Sequence, residues 1–314
     1  MFNSTLMQRV MSHFTSKILM ISPDKFRNNE YTILDNVFQS RKKNKDQIQS
    51  ITLKEFDKLR DVISNSGIDV FSFDDDSKFD TPDAVFPNNW ISFHHPNKAI
   101  LYPMFAPNRR LERKSKIFNK LSRSGFDFEI VKDYSLYEDE NKFLEGTGSI
   151  VLDRKSKNAY CSISKRSNID LFKKFCLDMD YLPVIFNSSY QSKPIYHTNV
   201  MMCVANHFAL ICLDSIDDKT EREKVIKSLK KSNKEIVEIT EEQKNRFAGN
   251  MLQIMGDQPY LVMSNSAYES LSKSQISSIE HYCPIIHCSL DVIEACGGGS
   301  ARCMMAEIFL PKQK

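Results

Sequence analysis

The chain has 314 residues, 41% of them hydrophobic and 26% charged, and a formal net charge of +3. That balance suits a globular protein with ample material for a core; the small net charge argues against nucleic acid as the partner, and no stretch approaches the roughly 18–20 apolar residues of a membrane span. The eight cysteines (161, 176, 203, 212, 283, 288, 296 and 303) form no CxxC pair and no metal-finger spacing, so they read as free thiols of a reducing, cytoplasmic compartment rather than as a disulfide framework.

In chain order, Met1–Pro23 carries Arg9 and Lys17, several Ser and Thr and no acidic residue before Pro23. This composition fits an organelle transit peptide but lacks the apolar core of a secretory signal. Residues 1–16 read more simply as an N-terminal extension, and 17–314 as a single domain, since no low-complexity linker divides the sequence. Apolar runs predict strands over Ile18–Ile21, Ala99–Tyr102, Ile150–Leu152, Val200–Ala205, Phe208–Leu213, Ile236–Ile239 and Tyr260–Met263. Amphipathic spacing predicts helices over Leu53–Ser66, Asn108–Ser124, Asn168–Met179, Lys219–Lys231 and Lys273–His281. Asn206-His207 has the length of a tight hairpin turn, and Thr240–Gln243 and Ser272–Gln275 have the spacing of capping boxes. Strand–helix–strand units recur every 50–60 residues or so, which hints at a repeat architecture.

The most informative run is Gly297-Gly298-Gly299-Ser300-Ala301-Arg302-Cys303. Three glycines permit positive φ and close backbone approach, and a cysteine beside a permanent cation is placed where a thiolate can form. Three more motifs accompany it: Phe86-Pro87-Asn88-Asn89-Trp90, Glu145-Gly146-Thr147-Gly148-Ser149, and Tyr196-His197-Thr198-Asn199-Val200. Each has a plain structural reading when taken singly. Cys303 reads as a buried filler, His197 as a satisfied histidine, Glu145 as a loop brace, and Asn88 and Asn89 as turn residues. His94, His95, Cys161 and Cys176 have no such context and read as structural.

Together the four motifs resemble the guanidine-modifying superfamily of arginine deiminases, dimethylarginine hydrolases and amidinotransferases. They are most similar to its citrulline-utilisation hydrolase and amidinotransferase-like branch. The resemblance runs from Ile18–Pro23, with Phe26, Asn29, Glu30 and Gln39, through Gly249-Asn250-Met251-Leu252-Gln253, to Cys303–Ile308. It implies an α/β fold, a five-bladed propeller of ββαβ units around a central pocket, and chemistry with no metal or organic cofactor. It also implies Cys303 as nucleophile, His197 as general acid and base, and Glu145 as the carboxylate that bonds substrate nitrogens and positions the histidine. Phe86, Asn88, Asn89, Asn199, Asn250 and Arg302 are the expected substrate contacts.

The chemistry explains those residue types. The carbon of a guanidine or urea is planar, resonance-stabilised and a poor electrophile. A thiolate can add to it, a nitrogen leaves only when protonated, and water then opens the covalent intermediate. The departures from the family pattern lie in the pocket. Arginine deiminase relatives carry Asp where this chain has Asn89 and Asn199, and an amide donates as well as accepts. Such a pocket is expected to be uncharged where its relatives are anionic, and to suit a neutral ureido group: citrulline, hydrolysed to ornithine, carbon dioxide and ammonia. Ser149 and Ser22 replace an acidic residue and an arginine; if that arginine holds a substrate carboxylate in relatives, the task falls here to Arg302 or another cation, or the substrate differs.

Other readings are a guanidinium substrate (arginine deiminase, dimethylarginine hydrolase or amidino transfer), a non-catalytic binding protein on the same fold, and an enzyme acting on arginine side chains of another protein. The last would use the charged segment Asp217–Arg246 as a partner surface, although that segment also reads as a solvated helix, strand and cap. A small-molecule ligand is expected, nucleic acid and membrane are not, and a homo-oligomer is left open.

Overall fold

The computed structural model describes residues 13–33, 36, 39, 45–76 and 78–312. Residues 1–12 of the expected extension lie outside them. Among the described residues five sheets of three strands stand beside one two-stranded ribbon. Each of the five pairs its first two strands antiparallel and its middle and third strands in parallel. The parallel step needs a crossover, and a helix fills it, so each unit has the order ββαβ.

Four units follow one another along the chain, with first strands at Ile91–His94, Val151–Asp153, Met202–Val204 and Leu252–Met255. The remaining unit joins the two ends of the chain. Ala306–Glu307 lies antiparallel to Lys17–Ser22, which runs parallel to Asp69–Asp74 across the helix Lys45–Ser64.

The middle strands are buried on both faces, and their alternating side chains enter different core clusters. Ile18 and Met20 pack with Ile254 and Val262, whereas Leu19 and Ile21 pack with Trp90, Ile91 and Phe93. Ile100, Tyr160, Leu210 and Val262 divide their strands from Leu101, Ala159, Ala209 and Leu261 in the same way. Each sheet is therefore gripped by its neighbours on either side. That is why four of the five middle strands read as apolar runs, Asn158–Ser162 being the exception.

Most predicted elements are present. The helix Lys219–Lys231 has the predicted bounds, both capping boxes form, and Asn206-His207 turns between two antiparallel strands. The predicted helix Asn108–Ser124 breaks into Pro107–Arg110 and Ser115–Arg123, because Arg109, Glu112 and Lys114 turn inward to buried partners, Lys114 bonding Asp75. The predicted strand Val200–Ala205 begins only at Met202, since Thr198–Val200 forms a 3₁₀ turn. Asp217–Arg246 folds as an amphipathic helix burying Val225 and Leu229, then a strand and a capped short helix. All eight cysteines are free and buried. No helix among the described residues is long and apolar enough to cross a membrane.

Candidate active site

Every unit has a short turn just before its first strand, and these turns carry the motifs. They are Pro87–Asn89, Gly146–Ser149, Thr198–Val200, the Gly249-Asn250 turn, and Ala301–Met304. A narrow cavity opens among them, lined by Phe86, Asn89, His197, Gly297–Gly299 and Cys303 together with Asp83, Arg109 and Arg166.

Cys303, on the turn after the glycine run, is 3% exposed. Of the three glycines only Gly298 takes positive φ (+67°), as the left-handed cap of the helix Asp291–Gly297. Gly297 and Gly299 serve by bareness instead: a Cβ on either would lie 2.7–3.1 Å from the Phe86 ring. Glu145 is fully buried, and its Oε2 is 2.7 Å from Nε2 of His197 while its Oε1 accepts from the Phe105 N–H at 2.9 Å. Ser149 braces the same turn, accepting from the Glu145 N–H and donating to the Arg166 carbonyl, so the serine that departs from the family pattern has a structural task.

Burial works to raise the Glu145 carboxyl. The Arg166 guanidinium, 3.7 Å away, and then the bond and charge of His197 more than offset this and bring it down to about 2. Burial lowers His197 and outweighs the pull of Glu145. At neutral pH the pair is therefore a carboxylate facing a neutral imidazole, whose Nε2 carries the proton that bonds Glu145.

Asn89 is oriented from behind. Arg109 grips Glu112 with two bonds at 2.9 and 3.0 Å and donates to the Asn89 Oδ1 at 2.8 Å. Burial, only partly countered by Arg109, pushes the Glu112 carboxyl up to about 7, and burial likewise raises Asp83. The Asn89 amide nitrogen is left buried and without a partner. It lies beside His197: a side chain on Gly148 would overlap that nitrogen and sit 2.8 Å from the imidazole.

Three expectations need correction. The cavity has the amide of Asn89 where relatives are expected to carry a carboxylate, but Asp83, Arg109 and Arg166 also line it, so the amides alone do not set its charge. Arg302 does not line it. Its guanidinium turns away to Glu307 at 2.8 Å and the Met305 carbonyl at 2.7 Å, in a separate pocket with Arg154 and Lys234. Asn88, Asn199 and Asn250 are also outside the lining. Asn88 bonds Thr147 on the neighbouring turn, while Asn199 and Asn250 direct their amide nitrogens at the Cys303 sulfur.

Arg109 and Arg166 were not singled out from sequence. Each stands next to another cation, Arg110 and Lys165 respectively, in a polar stretch, and nothing local marks it as 2% exposed. The guanidinium of Arg166 stacks on Tyr196, 4.8 Å from the ring centre.

Residues 22–310 match the family described as N,N dimethylarginine dimethylhydrolase, eukaryotic. The chain belongs to that family. It is thereby placed in the guanidino-modifying superfamily, as a hydrolase acting on C–N bonds of guanidino compounds. No curated protein matches the sequence significantly.

Among solved structures, the N-terminal domain of ArgZ, an arginine dihydrolase from the ornithine–ammonia cycle in cyanobacteria, was determined as a cysteine-to-serine mutant with substrate. It superposes with a TM-score of 0.74 at 16% identity, covering 93% of this chain and 97% of that one. Dimethylarginine hydrolase from Pseudomonas aeruginosa, likewise a cysteine-to-serine mutant and complexed with citrulline, gives 0.66 at 14% identity, covering 94% and 99%. Unliganded AgrE gives 0.72 at 16% identity over 95% of this chain and 40% of its own. At these identities the likeness establishes the α/β fold of the family.

Proposed function

We propose that the protein is a cysteine hydrolase of arginine-type amino acids, and that the neutral ureido group of citrulline is the substrate its pocket suits best. The observation that carries the reaction is the 2.7 Å bond between His197 and Glu145 in the cavity that Cys303 lines. The Cys303 sulfur adds to the ureido carbon. His197 takes the thiol proton as the sulfur adds and passes it to the departing ammonia, giving a thiocarbamate on the cysteine. Water, deprotonated by the same imidazole, releases the carbamate of ornithine, which loses carbon dioxide, and the proton returns to the sulfur. Glu145 stabilises the imidazolium that forms within each step.

The ureido preference rests on Asn89. With its Oδ1 held by Arg109, it offers a hydrogen-bond donor beside His197. A donor there matches a carbonyl oxygen and repels the N–H of a guanidinium. The second reading is a guanidinium substrate, as in the family's description. It is favoured by Asp83, whose Oδ1 is buried beside the cavity without a hydrogen-bond partner. The five ββαβ units fit a five-bladed propeller, a reading supported by each unit's contributing its leading turn to the site.

The test is a product assay for ornithine, citrulline, ammonia and methylamine with citrulline, arginine and an N-methylated arginine supplied separately, using wild type and Cys303→Ala. Turnover of citrulline that vanishes in the variant is expected. Turnover of guanidinium substrates alone would overturn the ureido reading.

A further inference from the structure

The pocket into which Arg302 turns is separate from the substrate cavity: among the described residues the two share no part of their lining. Its walls come from the first strands of four units, Val151–Asp153, Met202–Val204, Leu252–Met255 and Ala306–Glu307. Asn199 stands between the two spaces, lining this pocket while its Nδ2 lies 3.4 Å from the Cys303 sulfur. We infer that this second pocket is a binding site for one small oxyanion of the bicarbonate or hydrogen phosphate kind, with Arg154 as its principal donor.

The charges of the lining do not balance. The side chains of Arg154, Lys234 and Arg302 are 10%, 1% and 9% exposed, and the exposed Lys155 adds a fourth cation. Two carboxylates face them. Asp153 is 3.3 Å from Lys234, and Glu307 is shared between Arg302 at 2.8 Å and Arg154 at 3.5 Å. Three buried cations against two carboxylates leave one positive charge over, and a charge withdrawn from water is costly until an opposite one joins it.

The surplus falls on Arg154. Lys234 also donates to the carbonyls of Ala205 and Asn206, each at 2.9 Å, and Arg302 to that of Met305 at 2.7 Å. Arg154 lies over the Phe309 ring at 4.0 Å and gives its Nη1 to the Nδ1 of His94 at 3.2 Å. Its Nη2 is buried with no hydrogen-bond partner among the described residues. In a planar guanidinium Nη2 shares an edge with Nε. That edge faces Glu307, so the unused donor is aimed at this pocket rather than at His94. The amide oxygens of the lining residues Asn199 and Asn206 are likewise buried and unpartnered, and such acceptors suit the hydroxyl of a partly protonated oxyanion. The interior space is about 50 Å³. At roughly 10–15 Å³ per water it holds about three to five waters, the size of one such anion.

The experiment is isothermal titration calorimetry of the full chain carrying Cys303→Ala, with bicarbonate, phosphate and chloride supplied separately at constant ionic strength. It is repeated with Arg154→Met, Arg154→Gln or Arg166→Met added, and circular dichroism checks folding. Saturable binding of bicarbonate or phosphate at one site, and not of chloride, is expected; whichever of the two binds names the source. Arg154→Met should raise Kd at least about tenfold, the scale of one lost bond to a charged group. Arg154→Gln, which keeps a donor for His94, serves if the methionine variant does not fold. Arg166→Met alters only the substrate cavity and should bind as its parent does. No saturable oxyanion binding, equal binding of chloride, binding that survives in a folded Arg154 variant, or loss in folded Arg166→Met alone would overturn the site. None of these results bears on turnover of citrulline, which the product assay decides separately.

Discussion

The two sides of Cys303 are built from opposite chemistry. Toward the cavity stand a carboxylate and a guanidinium 3.7 Å apart, an imidazole, and a second guanidinium locked to Glu112. On its other side the sulfur accepts from the amides of Asn199 and Asn250. Charge that must move a proton is placed where substrate enters, and the sulfur is supported by groups that cannot titrate.

The largest effect that would sharpen this contrast is at the sulfur. Cys303→Ala should lower turnover by at least ~10³-fold with the fold intact, as removal of a nucleophile does elsewhere, measured by product assay and circular dichroism. On the charged side, Glu145→Gln should cost ~10²–10⁴-fold in kcat, the range of general acid–base assistance. The same substitution has a pH signature. Glu145 is held near 2 when folded, against an ordinary 4.5, so its ionised form stabilises the fold above about pH 4.5, and this contribution is lost as pH falls toward 2. Urea denaturation of wild type and variant should therefore differ in pH dependence across that window and run parallel above it.

Asn89→Asp converts a neutral amide lining the cavity into a carboxylate. The ratio of kcat/KM for arginine over citrulline should rise about tenfold, equivalent to ~1.4 kcal/mol, in side-by-side kinetics. An unchanged ratio would mean that Arg109 does not set the pocket's preference. The smallest effect on activity is expected at Arg302. Because its guanidinium serves Glu307 rather than substrate, Arg302→Met should lower stability by ~1–3 kcal/mol and leave KM nearly unchanged. A large rise in KM would restore Arg302 as a substrate anchor.

Legibility followed burial. Strands buried on both faces, such as Lys17–Ser22 and Phe208–Ile211, are continuous apolar runs and were readable. Asp69–Asp74 and Glu129–Asp133, each at the outer edge of a sheet, mix polar with apolar residues and carried no usable signal. Asn158–Ser162 is a middle strand with a weak sequence, Asn-Ala-Tyr-Cys-Ser, and was also missed. Among site residues, Cys303, His197 and Glu145 were marked by their glycine-flanked or paired motifs, whereas Arg109 and Arg166 had no marking context.

By itself the sequence determined the parts: four of the five middle strands as apolar runs, with helices between them, a glycine-bordered cysteine, and a histidine and glutamate on turns before strands. Only the tertiary structure decided which way each side chain faces. Arg302 is adjacent to the nucleophile in sequence, yet its carboxylate partner Glu307 draws it into another pocket. Arg109 and Arg166 are distant in sequence, yet they border the cavity because buried acids, Glu112 and Glu145, hold them there. A cation in the interior goes where a carboxylate can compensate its lost hydration, and that position is fixed by packing rather than by neighbours along the chain.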